Sequence, residues 1–200
     1  MQDGGDVRAD VRTVGREADE RAPREPIACK PPRAVFSQNP AYEQRRTNYI
    51  NQVLNNFSDN AIMLQAYKGL PVDSAALNKM LNELPTKGTA DFDIVKLLRI
   101  LFFTNGTYDA QILPLLNQTP FWLTADDTLR VYWSENHVLM WMSSDWLLHE
   151  RYGHAIDSTL EQRLKHYLHL KIDYGYYEFF SSTYLPYSLS GLLNLVDFAQ

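Results

Sequence analysis

The sequence predicts an all-α protein built of antiparallel helical hairpins. Three observations carry that reading: apolar residues recur at three- and four-residue steps over most of the chain, helix caps and breakers punctuate those runs, and alternating apolar and polar strand patterns are nearly absent. With 200 residues, 45% of them hydrophobic and 12% aromatic, the chain has the material for one domain with a sizeable core. Residues 1 to 33 stand apart. They hold mixed charges, glycine and Pro23, Pro26, Pro31 and Pro32, with no aromatic side chain and almost no aliphatic one. Such a segment buries too little surface to offset its ordering entropy, so it is read as a disordered leader before a domain spanning 34 to 200.

The first helical run extends from Tyr42 through Tyr49, Ile50, Val53 and Leu54 to Tyr67, with a break expected near "FSDN", and "KGLP" ends it. A second helix is predicted from Ser74, a plausible N-cap, to Leu84, where Pro85 and Gly88 close it. A third covers about 92 to 103. Pro114 and Pro120 then allow only a short helix, and "FWLT" and "LRVYW" read as loop or brief extended pieces. Ser134 is placed to cap a helix from Glu135 to Tyr152, with Gly153 as left-handed terminator. A further helix is expected over 158 to 170. The last starts near Pro186 and is still apolar at Phe198, which predicts an incomplete array cut in mid-helix. Short hairpins with long loops between them suit a stacked array better than a four-helix bundle.

Several function classes are excluded or disfavoured. The formal net charge of −5, with Lys and Arg scattered, argues against a nucleic-acid partner. Cys29 is the only cysteine, so neither a disulfide framework nor a thiolate metal cage is expected. Apolar stretches stop short of the roughly 18 residues a membrane span needs, and Met1 is followed by acidic and polar residues rather than a signal peptide, so no membrane partner is expected. "HERYGH" imitates a zinc-protease motif, but His149 and His154 are five residues apart and Gly153 ends the helix between them, while His166 and His169 lack a third ligand. Both pairs read as solvated surface. No metal and no cofactor is expected.

Two polar clusters hold candidate chemistry. In "WSENHVLMW" the first turn of a helix presents Glu135, Asn136 and His137, where free backbone N–H groups favour a neutral imidazole, the form a general base requires. One turn on, Trp141 follows His137 on the same face, and imidazole beside indole makes a wall for a sugar ring. The bland alternative is that Glu135 complements the helix dipole, Asn136 ties a loop and His137 fills a polar corner. In "DYGYYEFFSSTYLPYS", residues 173 to 188, the tyrosines, Glu178 and Ser181 suit a carbohydrate groove, against the alternative of a packed aromatic corner.

"WSENH" opening an apolar helix, followed by "GYYEFFSSTYLPYSLSGLLNLVDFA", resembles a large α/α-toroid family with a Ser-Glu-Asn-His motif and a Gly-x-x-Glu-x-x-Ser-x-x-Tyr motif before a helix ending Asp-Phe-Ala. The resemblance covers roughly residues 130 to 200 and implies part of an (α/α) toroid. It is also distantly similar to α/α-toroid polysaccharide lyases, in which an Asn-His pair precedes a tyrosine by about fifty residues. That similarity implies Asn136 holding a uronate carboxylate with Glu135 beside it, His137 taking the C5 proton and Tyr184 protonating the leaving oxygen. Trp141, Tyr176, Tyr177 and Ser181 would then bind a polysaccharide or oligosaccharide. Arg130 and Arg151 are candidate carboxylate partners by proximity. The alternatives are an inverting glycosidase using Glu135 and Glu178, and a non-catalytic helical scaffold.

Overall fold

Asn39 accepts a hydrogen bond from the Ala41 N–H while Pro40 supplies a preset φ at the first helical position, and together they start α1, Pro40–Asn55. The computed structural model describes residues 39 to 56, 58 to 123 and 129 to 200, so the leader expected over 1 to 33 lies outside it. The break near "FSDN" is present, and α2 follows as Asp59–Tyr67. The cap of α3, Ser74–Glu83, is Asp73 rather than Ser74. Its carboxylate takes the N–H groups of Ala75 and Ala76, and a 3₁₀ turn over Leu84–Thr86 follows α3. Next come α4, Asp91–Thr104, and the short α5, Asp109–Leu116, which contains Pro114. The segment before α6 is irregular where described, and α6 spans Glu135–Tyr152 as predicted. Gly153 ends it at φ +71°, donating its N–H to His149 O, a conformation a side chain would strain. The array closes with α7, Leu160–Tyr174, and α8, Leu185–Phe198. All eight helices described, and the absence of strands among the described residues, agree with the all-α expectation.

The packing order follows helix parity. α2 packs on α4, α4 on α6 and α6 on α8, while α1, α3, α5 and α7 each lie against an even-numbered sequence neighbour. α8 also reaches back to α4, where Asn194 Nδ2 donates to Val95 O at 2.9 Å. The main core joins Ile62, Leu77, Ile94, Leu97, Leu98 and Leu101 to Trp141, Leu147 and Leu148, and a smaller cluster gathers Leu139, Met142, Leu160 and Leu164. Helix α6 meets α4, α7 and α8, which explains why its sequence is apolar on nearly every side. No helix among the described residues is long and apolar enough to cross a membrane.

Candidate functional site at the head of α6

The first turn of α6 is capped from a distance. Ser134 is extended, at φ −96° and ψ 157°, but its Oγ turns to Asn136 Oδ1 at 2.6 Å instead of bonding the helix backbone. The Asn136 N–H is instead met by the Glu178 carboxylate, which arrives from the loop between α7 and α8. Glu135 makes the reciprocal contact: its carboxylate accepts from the N–H groups of Tyr177 at 3.2 Å and Glu178 at 3.1 Å, and from the Lys171 ammonium. An anion at a helix N-terminus and a carboxylate gathering turn N–H groups are both favourable, so the two glutamates clasp loop and helix together. The Lys171 ammonium lies within 5.5 Å of the ring centres of Tyr167, Tyr176 and Tyr177. Tyr167 donates its O–H to Glu135 O at 2.8 Å, and burial and the Glu135 charge push its phenol pKa up.

His137 is held from α4. Its Nδ1 lies 2.5 Å from Asp91 Oδ2, and Asp91 is fully buried in the first turn of that helix. Burial pushes the Asp91 carboxyl up from its ordinary pKa, and the His137 ring opposes that rise. A carboxylate on Nδ1 fixes the tautomer and leaves Nε2 as the working nitrogen. Phe92 stacks on the imidazole with centroids 4.9 Å apart and planes 12° apart, and Tyr187 stacks on Phe92 at 4.2 Å and 10°. Asn136 is buried, and its Nδ2 has no hydrogen-bond partner. Burial and the neighbouring Glu135 charge raise the Glu178 pKa, while His137, the Asn136 N–H and Lys171 pull it down.

Glu135, Asn136, His137 and Glu178 therefore share one polar centre, whereas other expected residues lie elsewhere. Trp141 is 0% exposed, donates Nε1–H to Val131 O at 2.8 Å and packs edge-on against Phe121, so it belongs to the core and forms no sugar wall beside His137. The reason is the number of neighbours around α6: the face shared by His137 and Trp141 turns inward within one turn. Ser181 Oγ accepts from Tyr184 N–H at 2.9 Å, a local turn contact. Tyr177 is 96% exposed, and Tyr184 is about half exposed at the N-cap of α8, one turn before Tyr187. Arg130 Nη1 donates to Lys87 O at 2.8 Å, and Arg151 donates to Asn105 Oδ1 near the far end of α6, so the cation at the centre is Lys171. Glu135 accepts from Lys171 and two backbone N–H groups, so the carboxylate of the glycosidase alternative would be an ion-paired one. Asp91, Phe92, Lys171 and Tyr187 were not found from sequence. An acidic residue opening α4 carries only the ordinary signal of a dipole-complementing first turn.

The chain matches no family model, and no similar curated protein or solved structure is found. The geometry at the head of α6 is that of an oriented imidazole with an unsatisfied amide donor on the preceding residue. Chemically it suits proton abstraction next to a group that accepts hydrogen bonds.

Proposed function

We propose that the head of α6 is an acid–base centre acting on carbohydrate, and that its reaction is eliminative cleavage of a uronate-containing polysaccharide. The observation that carries the reading is the buried Asp91–His137 pair beside the unpaired Asn136 Nδ2. In this reaction Asn136 donates to the uronate carboxylate and stabilises the charge that develops on it. His137 Nε2 takes the C5 proton, and Asp91 stabilises the resulting imidazolium. Tyr184 returns a proton to the leaving O4. It stands one turn ahead of Tyr187, whose ring Phe92 links to His137. The parity of helix packing supports placing this centre in an arc of an α/α toroid, with even-numbered helices inside and odd-numbered helices outside.

A screen of uronate polymers with this chain, followed by the ultraviolet absorbance of the unsaturated product, tests the proposal. Absorbance should grow with at least one polymer. His137→Ala, Asp91→Asn and Tyr184→Phe should each cut turnover by about 10²- to 10⁴-fold with the helical circular dichroism retained. New reducing ends without absorbance would replace elimination by hydrolysis. Absence of both products with every polymer, or full turnover in His137→Ala, removes the catalytic reading and leaves the glutamate clasp as a structural device.

A further inference from the structure

A second polar centre lies two turns further along α6, about 12 Å from the first at 1.5 Å per residue. A cavity of about 580 Å³ opens there, lined by Asn117, Phe121, Trp122, Asp145, Tyr152 and His154 among others. Asp145 is 6% exposed, and its Oδ1, which has no hydrogen-bond partner, is 3.5 Å from His154 Nε2. His154 Nδ1 is 3.0 Å from Asn117 Oδ1. With that amide oxygen accepting from Nδ1–H, Nε2 presents a lone pair. Burial and nearby His149 hold the imidazole pKa below its ordinary value, consistent with a neutral ring. In that tautomer a carboxylate oxygen and an imidazole lone pair confront each other, 3.5 Å apart, with no donor between them. Lysine and arginine are absent from the lining, although Arg163, stacked over Trp122 at 4.3 Å and paired with Asp157, stands just behind it. Phe121 meets His154 edge-on at 5.4 Å, and Trp122 and Tyr152 add two more rings to a lining that also holds Asp157 and several small or polar residues.

We infer that this cavity is a binding site for a small organic ammonium with an apolar or aromatic body, its N–H groups bridging Asp145 Oδ1 and His154 Nε2. The ammonium supplies the donors that both acceptors lack, and its charge answers the buried carboxylate. Phe121, Trp122 and Tyr152 take the body, one face of Trp122 being already occupied by Arg163. The volume lies within the range of small-molecule pockets. The site shares no residue with the Asp91–His137 centre, so its standing does not depend on carbohydrate chemistry.

The probe is benzylammonium, with benzyl alcohol as the neutral analogue and benzoate as the anionic one, each titrated calorimetrically into the full chain at pH 8. Benzylammonium should bind at least about tenfold more tightly than benzyl alcohol, corresponding to about 1.4 kcal/mol, and benzoate should not bind. Asp145→Asn, which keeps the side-chain shape, should remove that preference, and the His154 Nε2 resonance in nitrogen-15 spectra should move on benzylammonium addition in the parent chain. Equal affinity for the alcohol and the ammonium, no ammonium binding at millimolar concentration, or an unmoved His154 resonance each overturns the inference. The analogue series and the resonance are read on the unmodified protein, so the result stands even if the variant misfolds.

Discussion

Asp145 and Glu135 show two ways of keeping a carboxylate out of water. Glu135 is satisfied by a lysine and two backbone donors, whereas Asp145 Oδ1 has no hydrogen-bond partner, and burial pushes its pKa from 3.8 up to about 7 despite the opposing Arg163 charge. The sign follows from the raised value. Below the unfolded pKa near 3.8 both states hold the proton; between there and 7 the folded state holds it more firmly, so the stability linked to this group is lost as pH rises through 7. Asp145→Asn removes that loss. Urea unfolding should show the variant more stable than the parent by about 2 to 4 kcal/mol at pH 8, with the gap narrowing strongly by pH 5. A gap independent of pH would show that Asp145 is not the titrating group. The same residue illustrates the limits of sequence reading. His149 and His154 were read as solvated, yet His149 Nδ1 bonds His154 O at 2.7 Å and His154 reaches Asn117 and Asp145, because the Gly153 turn folds the chain back on the helix end.

At the scale of elements, the close approach of α6 and α8 follows from one glycine. A Cβ on Gly191 would stand 3.1 Å from Ser143 Oγ and 3.3 Å from both Leu139 Cγ and Met140 Cα, so the helix backbones approach where Ser143, Ser188 and Gly191 present little bulk. Gly191→Val should cost about 2 kcal/mol or more, since overpacking typically costs about 1 to 3 kcal/mol and a β-branched side chain has few rotamers with which to evade the contact. The shift of the urea midpoint measures it, and an unchanged midpoint would mean that the two helices do not meet at this seam. Some helix boundaries were legible because their causes are local: Gly153 ends α6 and prolines confine α5, whereas the cap of α3 was misplaced by one residue and the Asn39 cap of α1 was not read. The inward face of α6 was not. With three helices around it, nearly every side of α6 is apolar or small, and periodicity then gives no preferred direction for Trp141. Nor could sequence order place Asp91, 46 residues before His137, on the imidazole.

Across the whole molecule, the even-numbered helices form a continuous packed series, the odd-numbered ones add their apolar faces to the core, and α6 carries both polar centres, one in its first turn and one in its third. All-α architecture was readable from period and caps; the pairing of α8 with both α4 and α6 was not, since it rests on contacts such as Asn194 to Val95, 99 residues apart. The α6–α8 seam also gives the chain a chemical memory. Met140 is fully buried there with its sulfur 3.7 Å from Ser190 Oγ, and Met80 and Met142 are nearly as enclosed, while Met63 is partly exposed. Peroxide should therefore convert Met63 to its sulfoxide first and reach Met140 only when the helices part, a sequence that peptide mass spectrometry resolves; similar rates at both would rule out a closed seam. Once oxidised, Met140 carries a polar oxygen into a fully buried position beside Ser190. Each opening caught by the oxidant leaves a sulfoxide that persists until it is reduced, so the population of sulfoxide records how often the fold has come apart.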